Sequence, residues 1–465
     1  MLAGGSGDGT IPAMTLIERA LRLVAIIGVF TLPFVCLIVA SDMFFPYITG
    51  KNFAFRVLVE VMTCAWLGLA LLNPAYRPRR SWVFAALTAF VAIIALADAL
   101  GVNPFKSFWS NFERMDGWVT LIHLFFYVVV AASVMQAERL WKILFQVSLG
   151  VSVFLDLYGL TQIAGVTMLG QAGSAGLAAR IDATFGNPIY LAVYMLFHVF
   201  IAALLWQRSW VESDSGKRLW PSIGYGSVIV LDTISLFFTG TRGTILGLIG
   251  GALLAVLIYV FIQRDARRVR PYAAGALIAV VVLAGILHFE RDASWVRSVG
   301  FLSRLASIST TDGTIAARFL NMGVAWEGIK ERPVLGWGQE NYAIVFDKYY
   351  DPRMYADEPW FDRVHNIVLD WWVAGGTLGL LAYLSIFVAA LYVLWRGNAF
   401  TAAEKSILTG LLAGYFVHNL TVFDNVTSYI LFGTILAYLI WRSESHRESK
   451  HLLLPRVPHA AAPGV

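Results

Sequence analysis

Twelve apolar stretches recur along the chain, centred near residues 30, 63, 91, 127, 152, 198, 229, 253, 281, 386, 413 and 434. A helix needs about 20 such residues to cross the hydrocarbon core of a bilayer. Lipid offers the backbone no hydrogen-bond partners, so a spanning segment must satisfy its own, as a helix does. The expected fold is therefore an all-α polytopic membrane protein with about twelve transmembrane helices. Composition agrees, since 58% of the 465 residues are hydrophobic and 14% charged. The mean hydropathy is +0.68, far above that of a soluble domain.

An even number of spans places both termini on one side, and the basic residues decide which. Arg77, Arg79, Arg80, Arg139, Lys142, Arg208, Lys217, Arg218, Arg264, Arg267, Arg268, Arg270, Arg396 and Lys405 fall in connections on one side. The short connections opposite carry only Lys51, Lys106, Arg114, Arg180 and Arg242. Both termini are thus expected in the cytoplasm. The formal charge of +5 is spread over these connections and forms no patch for nucleic acid. Cys36 and Cys64 lie inside apolar runs, which supports neither a disulfide framework nor a cysteine metal site.

The expected organisation is a flexible cytoplasmic N-terminus (1–19), nine spans (20–289) and a large outer loop (290–364). A re-entrant or interfacial segment with three further spans (365–441) and a cytoplasmic tail (442–465) complete it. The first run lacks a small-residue cleavage site and reads as a retained helix. The loop is rich in Trp, Tyr and Phe, unlike a disordered segment. Within it, "TDGTIAARFLNMGVAWEGIKERP" reads as a helix ended by Pro333. Phe319, Met322, Trp326 and Ile329 supply the face expected to lie on the membrane domain.

The basic residues on the outer side are exceptions to the charge bias. Arg242 sits in "FFTGTRGTILG" between Gly240 and Gly243, where backbone or ligand can approach closely. Arg180 precedes the sixth span, and Arg318 lies on the loop helix. Three guanidinium groups could gather there and match phosphate oxygens of a lipid-linked phosphate or diphosphate. Each alone also fits a headgroup anchor or a surface salt bridge.

His365, in "WFDRVHNIVLDWWVAGG", stands at the threshold of the tenth span. An imidazole there can accept a proton from an attacking alcohol, or simply cap the helix. Asp370 is close enough in sequence to orient that helix. Glu60, Asp156 and Asp232 fall within spans and are expected to turn inward. The aromatic segments "FKSFWSNFERMDGW" and "YYDPRMYADEPWF" suit either a carbohydrate path or an interfacial belt. The sequence contains no HExxH, P-loop, CxxC or Asp-x-Asp pair, so neither a metal nor a cofactor is expected.

"TGTRGTILGLIGG", "RFLNMGVAWEGIKERPVLGWGQENY" and "VHNIVLDWWVAGGTLGLLAYL" together resemble the signature region of the bacterial O-antigen ligase and O-antigen polymerase superfamily. The resemblance implies a GT-C-like architecture in the bacterial inner membrane, with the large loop in the periplasm. It implies a metal-independent, inverting glycosyltransferase that takes a glycan from undecaprenyl diphosphate. The acceptor would be lipid A core for a ligase, or another glycan for a polymerase. Arg242, Arg318 and Arg180 correspond to diphosphate-binding arginines and His365 to the residue that activates the acceptor. Separately from the resemblance, Asn366, Asp370 and Arg114 are expected to support these residues. A secondary transporter is the alternative of another class, but such proteins are usually built from internal repeats, and none is visible here.

Overall fold

The computed structural model describes residues 14–166, 176, 180–212, 214–263, 270–307, 313–355 and 358–453. Its helices run in the order α1 (Leu16–Thr31), α2 (Thr49–Leu72), α3 (Trp82–Ala99), α4 (Pro104–Trp109), α5 (Trp118–Val134) and α6 (Glu138–Ile163). Then come α7 (Pro188–Glu212), α8 (Leu219–Phe238), α9 (Arg242–Ile262), α10 (Arg270–Phe289), α11 (Ser294–Ser298), α12 (Gly300–Ala306), α13 (Gly313–Glu331) and α14 (Tyr342–Lys348). The last are α15 (Ile367–Trp395), α16 (Ala402–Asn419) and α17 (Val426–Leu453). Among the described residues there is no strand. The chain is an all-α polytopic membrane protein.

Every one of the twelve apolar stretches lies in a helix, and 10 of these helices are long and apolar enough to cross a membrane. The two that fall short are α5, at 17 residues, and α16, which contains Glu404, Lys405, His418 and Asn419. α1 begins ahead of the expected start at 20, because Thr15 and Glu18 form a reciprocal capping box. α17 continues past the expected end at 441. Residues 1–13 and 454–465 lie outside the described residues.

α9 packs most closely on α16, along a seam of glycines. A Cβ on Gly251 would lie 2.4 Å from the Gly410 carbonyl oxygen, and one on Gly247 would lie 2.5 Å from that of Gly414. Helices in lipid gain little from apolar burial against each other, so backbone approach of this kind supplies the attraction. Thr244 Oγ1 meets His418 Nδ1 at 2.7 Å beside the seam, fixing its register. The consequence is positional: the start of α9 is held against the end of α16.

α15 is broken at Gly376, whose φ of 64° and ψ of −166° no helix accommodates. The freed backbone groups pair with the stretch Pro333–Gly338. Thr377 N–H donates to the Pro333 carbonyl at 2.8 Å, while the Val373 and Ala374 carbonyls accept from Trp337 and Gly338 N–H at 2.8 and 2.9 Å. The large loop is thereby stitched into the membrane domain at the residues that follow His365.

The loop has its own core of Ala317, Val324, Ala325, Ile329, Trp337, Val345, Phe346, Phe361 and Val364. This corrects the expected face of α13. Ile329 is buried, but Phe319 and Trp326 are 62% and 46% exposed. The inward face combines Val324 and Ile329 with small residues. Gly328 is one of them, and a Cβ there would lie 2.4 Å from Val345. A second correction concerns Glu60, which does not turn inward: its side chain is 62% exposed and meets His123 Nε2 at 3.2 Å. Asp156 and Asp232 are fully buried, as expected.

Candidate functional site

Two of the predicted arginines, Arg180 and Arg242, meet at the turn between α8 and α9, and the charge of a third, Arg318, acts on Arg180. Arg242 is the first helical residue of α9, so its charge sits at the positive end of the helix dipole, where an anion and not a cation is favoured. Arg180 reaches the same turn, donating from Nε to the Thr239 carbonyl at 2.7 Å. Its pKa is pushed down to about 10, first by burial and then by the charges of Arg304, Arg242 and Arg318, with Asp182 opposing them. Arg304, on α12, is a fourth member that sequence reasoning did not single out.

Arg318 connects this group to His365. The imidazole pKa is pushed down to about 4, by burial first and by the Arg318 charge second, with smaller opposing contributions from the Arg363 carbonyl and Asp362. His365 is therefore neutral at physiological pH. Its Nδ1 lies 3.1 Å from the Arg363 carbonyl oxygen, and a carbonyl can only accept, so Nδ1 carries the proton. That leaves Nε2 with a lone pair. The backbone of His365 has φ 59°, a left-handed conformation unusual for a residue with a Cβ and a common mark of functional positions.

Several elements hold the histidine in place. Asn321, fully buried on α13, donates through Nδ2 to the carbonyls of Arg363 at 3.3 Å and Val364 at 3.0 Å. Asp370 accepts from Val364 N–H at 3.2 Å and from the Arg363 guanidinium at 2.6 Å. Asn366 caps α15, accepting from Val368 and Leu369 N–H at 3.1 Å, and donates to the Leu420 carbonyl at 3.0 Å. Since α16 is also fixed to α9 by the glycine seam, His365 and the Arg242 turn share one anchor.

Beneath the histidine lies a buried charge network. Arg114 grips Asp362 in a two-pronged contact, at 2.7 and 2.9 Å. Arg363, besides Asp370, meets Glu340 at 3.2 Å and Asp116 at 3.6 Å. Both guanidinium groups lie over the Phe423 ring, 4.8 Å from its centroid, and the His365 ring meets Phe423 edge-on at 5.1 Å. Burial raises Asp116 to about 7, with Arg363 pulling the other way. It also raises Asp424 to about 6 against the hydrogen bonds of Tyr415, Ser428 and Asn419. Among the described residues no three His, Cys, Asp or Glu side chains stand together as metal ligands.

A strained neutral histidine beside a cluster of arginines, at one end of a helical membrane domain, is an arrangement for handling an anionic group and a proton together. Residues 225–384 match the O-antigen ligase family. The expected place in the O-antigen ligase and polymerase superfamily holds for this segment. It contains Arg242, Arg304, Arg318, His365, Asn366 and Asp370, whereas Arg114, Arg180 and Phe423 lie outside it. The match covers about a third of the chain, and the family it points to is one of ligases that act on lipid-linked glycans. No curated protein matches the chain.

Sequence reasoning missed Arg304, Asn321, Glu340, Asp116 and Phe423. Arg304 stands near Arg291 and Arg297 in a stretch without a motif, and nothing in its neighbours sets it apart. Asn321 carried a usable signal, being an amide within the apolar spacing of the loop helix.

Proposed function

We propose that this protein is a glycosyltransferase of the bacterial inner membrane, working on its periplasmic side. It moves a glycan from undecaprenyl diphosphate to an acceptor hydroxyl. The basic-residue bias favours this orientation, because the short connections on the side bearing the site carry five Lys and Arg residues against fourteen on the other side. The observation that carries the reading is His365: a neutral imidazole with its proton on Nδ1 and a lone pair on Nε2, influenced by Arg318 of the arginine cluster.

The chemistry follows from that pairing. The acceptor hydroxyl attacks the anomeric carbon of the donor sugar from the face opposite the diphosphate. His365 Nε2 takes the hydroxyl proton as the new bond forms, since an uncharged alcohol is a poor nucleophile. The bond between the anomeric carbon and the diphosphate oxygen breaks, and the leaving group gains negative charge. Arg180, Arg242 and Arg318 offset that charge, and the amide groups at the start of α9 add to their effect. The arginines take the place that Mg²⁺ holds in many diphosphate sites, so no divalent metal is required. Transfer to lipid A core, as by a ligase, is the favoured outcome.

The test is reconstitution. Purified protein in liposomes, given an undecaprenyl-diphosphate glycan and lipid A core, should yield undecaprenyl diphosphate and glycosylated core, undiminished by excess chelator. Longer glycans still attached to undecaprenyl diphosphate, with unmodified core, would instead identify a polymerase. Loss of activity in chelator, restored by a metal, would contradict the metal-free mechanism.

A further inference from the structure

α12 is docked on the turn that carries Arg242. Phe301 packs edge-on against Phe237 and Phe238 at the end of α8, at 5.3 and 5.8 Å, and Leu305 rests on the core of the membrane domain. Docking in this way lays Arg304 across the turn. A Cβ on Gly240 would fall 2.9 Å from Cδ and 3.4 Å from Nε of Arg304, and 3.8 Å from Nε of Arg180. The two arginines therefore flank one glycine. Ser307 completes the junction, accepting from Arg242 Nη2 at 2.9 Å and donating to the Arg304 carbonyl at 3.2 Å.

Arg304 is exposed, and among the described residues no carboxylate or carbonyl accepts from its side chain. Its charge acts on Arg180 more strongly than that of any other residue. Among the described residues, two acids whose charges act with the cluster are Asp182, which also accepts from Gln162 at 2.9 Å, and Glu358, on which the Arg318 charge acts. Like charges held together disfavour one another unless a counter-charge joins them. A compact anion with several oxygens would supply that counter-charge to Arg304.

We propose that Arg304 is a fourth ligand of the donor diphosphate, and that the bound diphosphate clamps α12 of the large loop onto the α8–α9 turn. The inference rests on the diphosphate reading of that turn. Arg180 and Arg242 belong to the membrane domain and Arg304 to the loop, so an anion bridging them closes the loop over the leaving group. Arginine suits this role, since its fork meets two oxygens at once.

The experiment measures binding of undecaprenyl diphosphate to the full chain in nanodiscs, for the wild type, Arg304→Gln and Arg304→Lys. Hydrogen exchange over residues 300–306 is followed with and without the lipid. The wild type should bind, and binding should slow exchange in α12. Arg304→Gln should bind about ten- to a hundredfold more weakly, the usual range for one charge-assisted contact, and lose that protection. Arg304→Lys should recover only part of either. Because Arg304 is exposed, these variants should match the wild type in yield and thermal stability. Wild-type binding by Arg304→Gln would overturn this inference and leave the proposed function standing. Failure of the wild type to bind would overturn both.

Discussion

Asp370 and Arg363 form a buried pair on either side of His365: the carboxylate accepts from Nη2 at 2.6 Å and from Nε at 3.0 Å, and also takes the Val364 N–H at 3.2 Å. A single side chain on the first turn of α15 thus fixes the two residues preceding the proposed base. Asp370→Asn keeps the shape but weakens the hold on Arg363, which retains Glu340 and Asp116. Turnover should fall about tenfold or more while donor affinity stays unchanged, measured as separate kcat and donor KM. Asp370→Ala should also lower stability, toward the ~3–5 kcal/mol typical of breaking a buried pair. An equal effect on donor affinity would show that Asp370 does not act through His365.

The pH dependence of turnover should reflect the depressed pKa of His365. The base must be neutral, so activity is lost as pH falls through the folded-state value of about 4, well below the usual imidazole range. Arg318→Gln removes the second-largest cause of the depression and should move that acid limb upward. Stability follows the same linkage. The unfolded chain binds the proton at higher pH than the folded one, so this group's contribution to stability falls from near pH ~6.5 downward. Rate profiles at saturating donor, for both proteins, check the limb.

Two adjacent glycines on α9 separate packing from helix propensity. Gly251→Ala would drive a methyl group to 2.4 Å from the Gly410 carbonyl, whereas a Cβ on Gly250 meets nothing within 4 Å. Gly251→Ala should therefore separate α9 from α16 and cost roughly 1–3 kcal/mol. Gly250→Ala should be neutral or slightly stabilising, because alanine is the better helix former. Thermal unfolding in detergent distinguishes them, and equal melting temperatures would refute the seam.

Arg242 tests recognition against bare charge. If its planar fork meets diphosphate oxygens, Arg242→Lys should fail to restore most of what Arg242→Ala loses, about ten- to a hundredfold in rate or donor affinity. The defect should be the same for every acceptor, since the arginine addresses the donor. Wild-type kinetics for Arg242→Lys would make the residue a headgroup anchor.

Apolar run length made the helical architecture legible, because lipid leaves the backbone few alternatives. Arg180 and Arg242 were legible for a related reason: they are positive charges in short connections on the side where such charges are scarce, while Arg318 was legible from its place on the loop helix. The orientation of α13 was not. A helix at a membrane boundary can turn apolar residues toward lipid as well as toward a core, so spacing gives a face without saying which way it points. Here close approach to α14 required Gly328 inside, while Phe319 points outward and the half-exposed Trp326 meets Trp372 of α15 edge-on. Phe423 was illegible because an aromatic at a helix end reads as core. Its role as the surface on which Arg114, Arg363 and His365 meet depends on chain segments far apart in sequence.

The most direct test of the account is His365→Ala, with donor binding and glycan transfer measured on the same purified protein. Nε2 is proposed to take the acceptor proton and not to hold the diphosphate. Undecaprenyl-diphosphate glycan should therefore bind as to the wild type, while transfer falls by on the order of 10² to 10⁴. Transfer at the wild-type rate by a folded His365→Ala protein would remove His365 from the chemistry and contradict the mechanism.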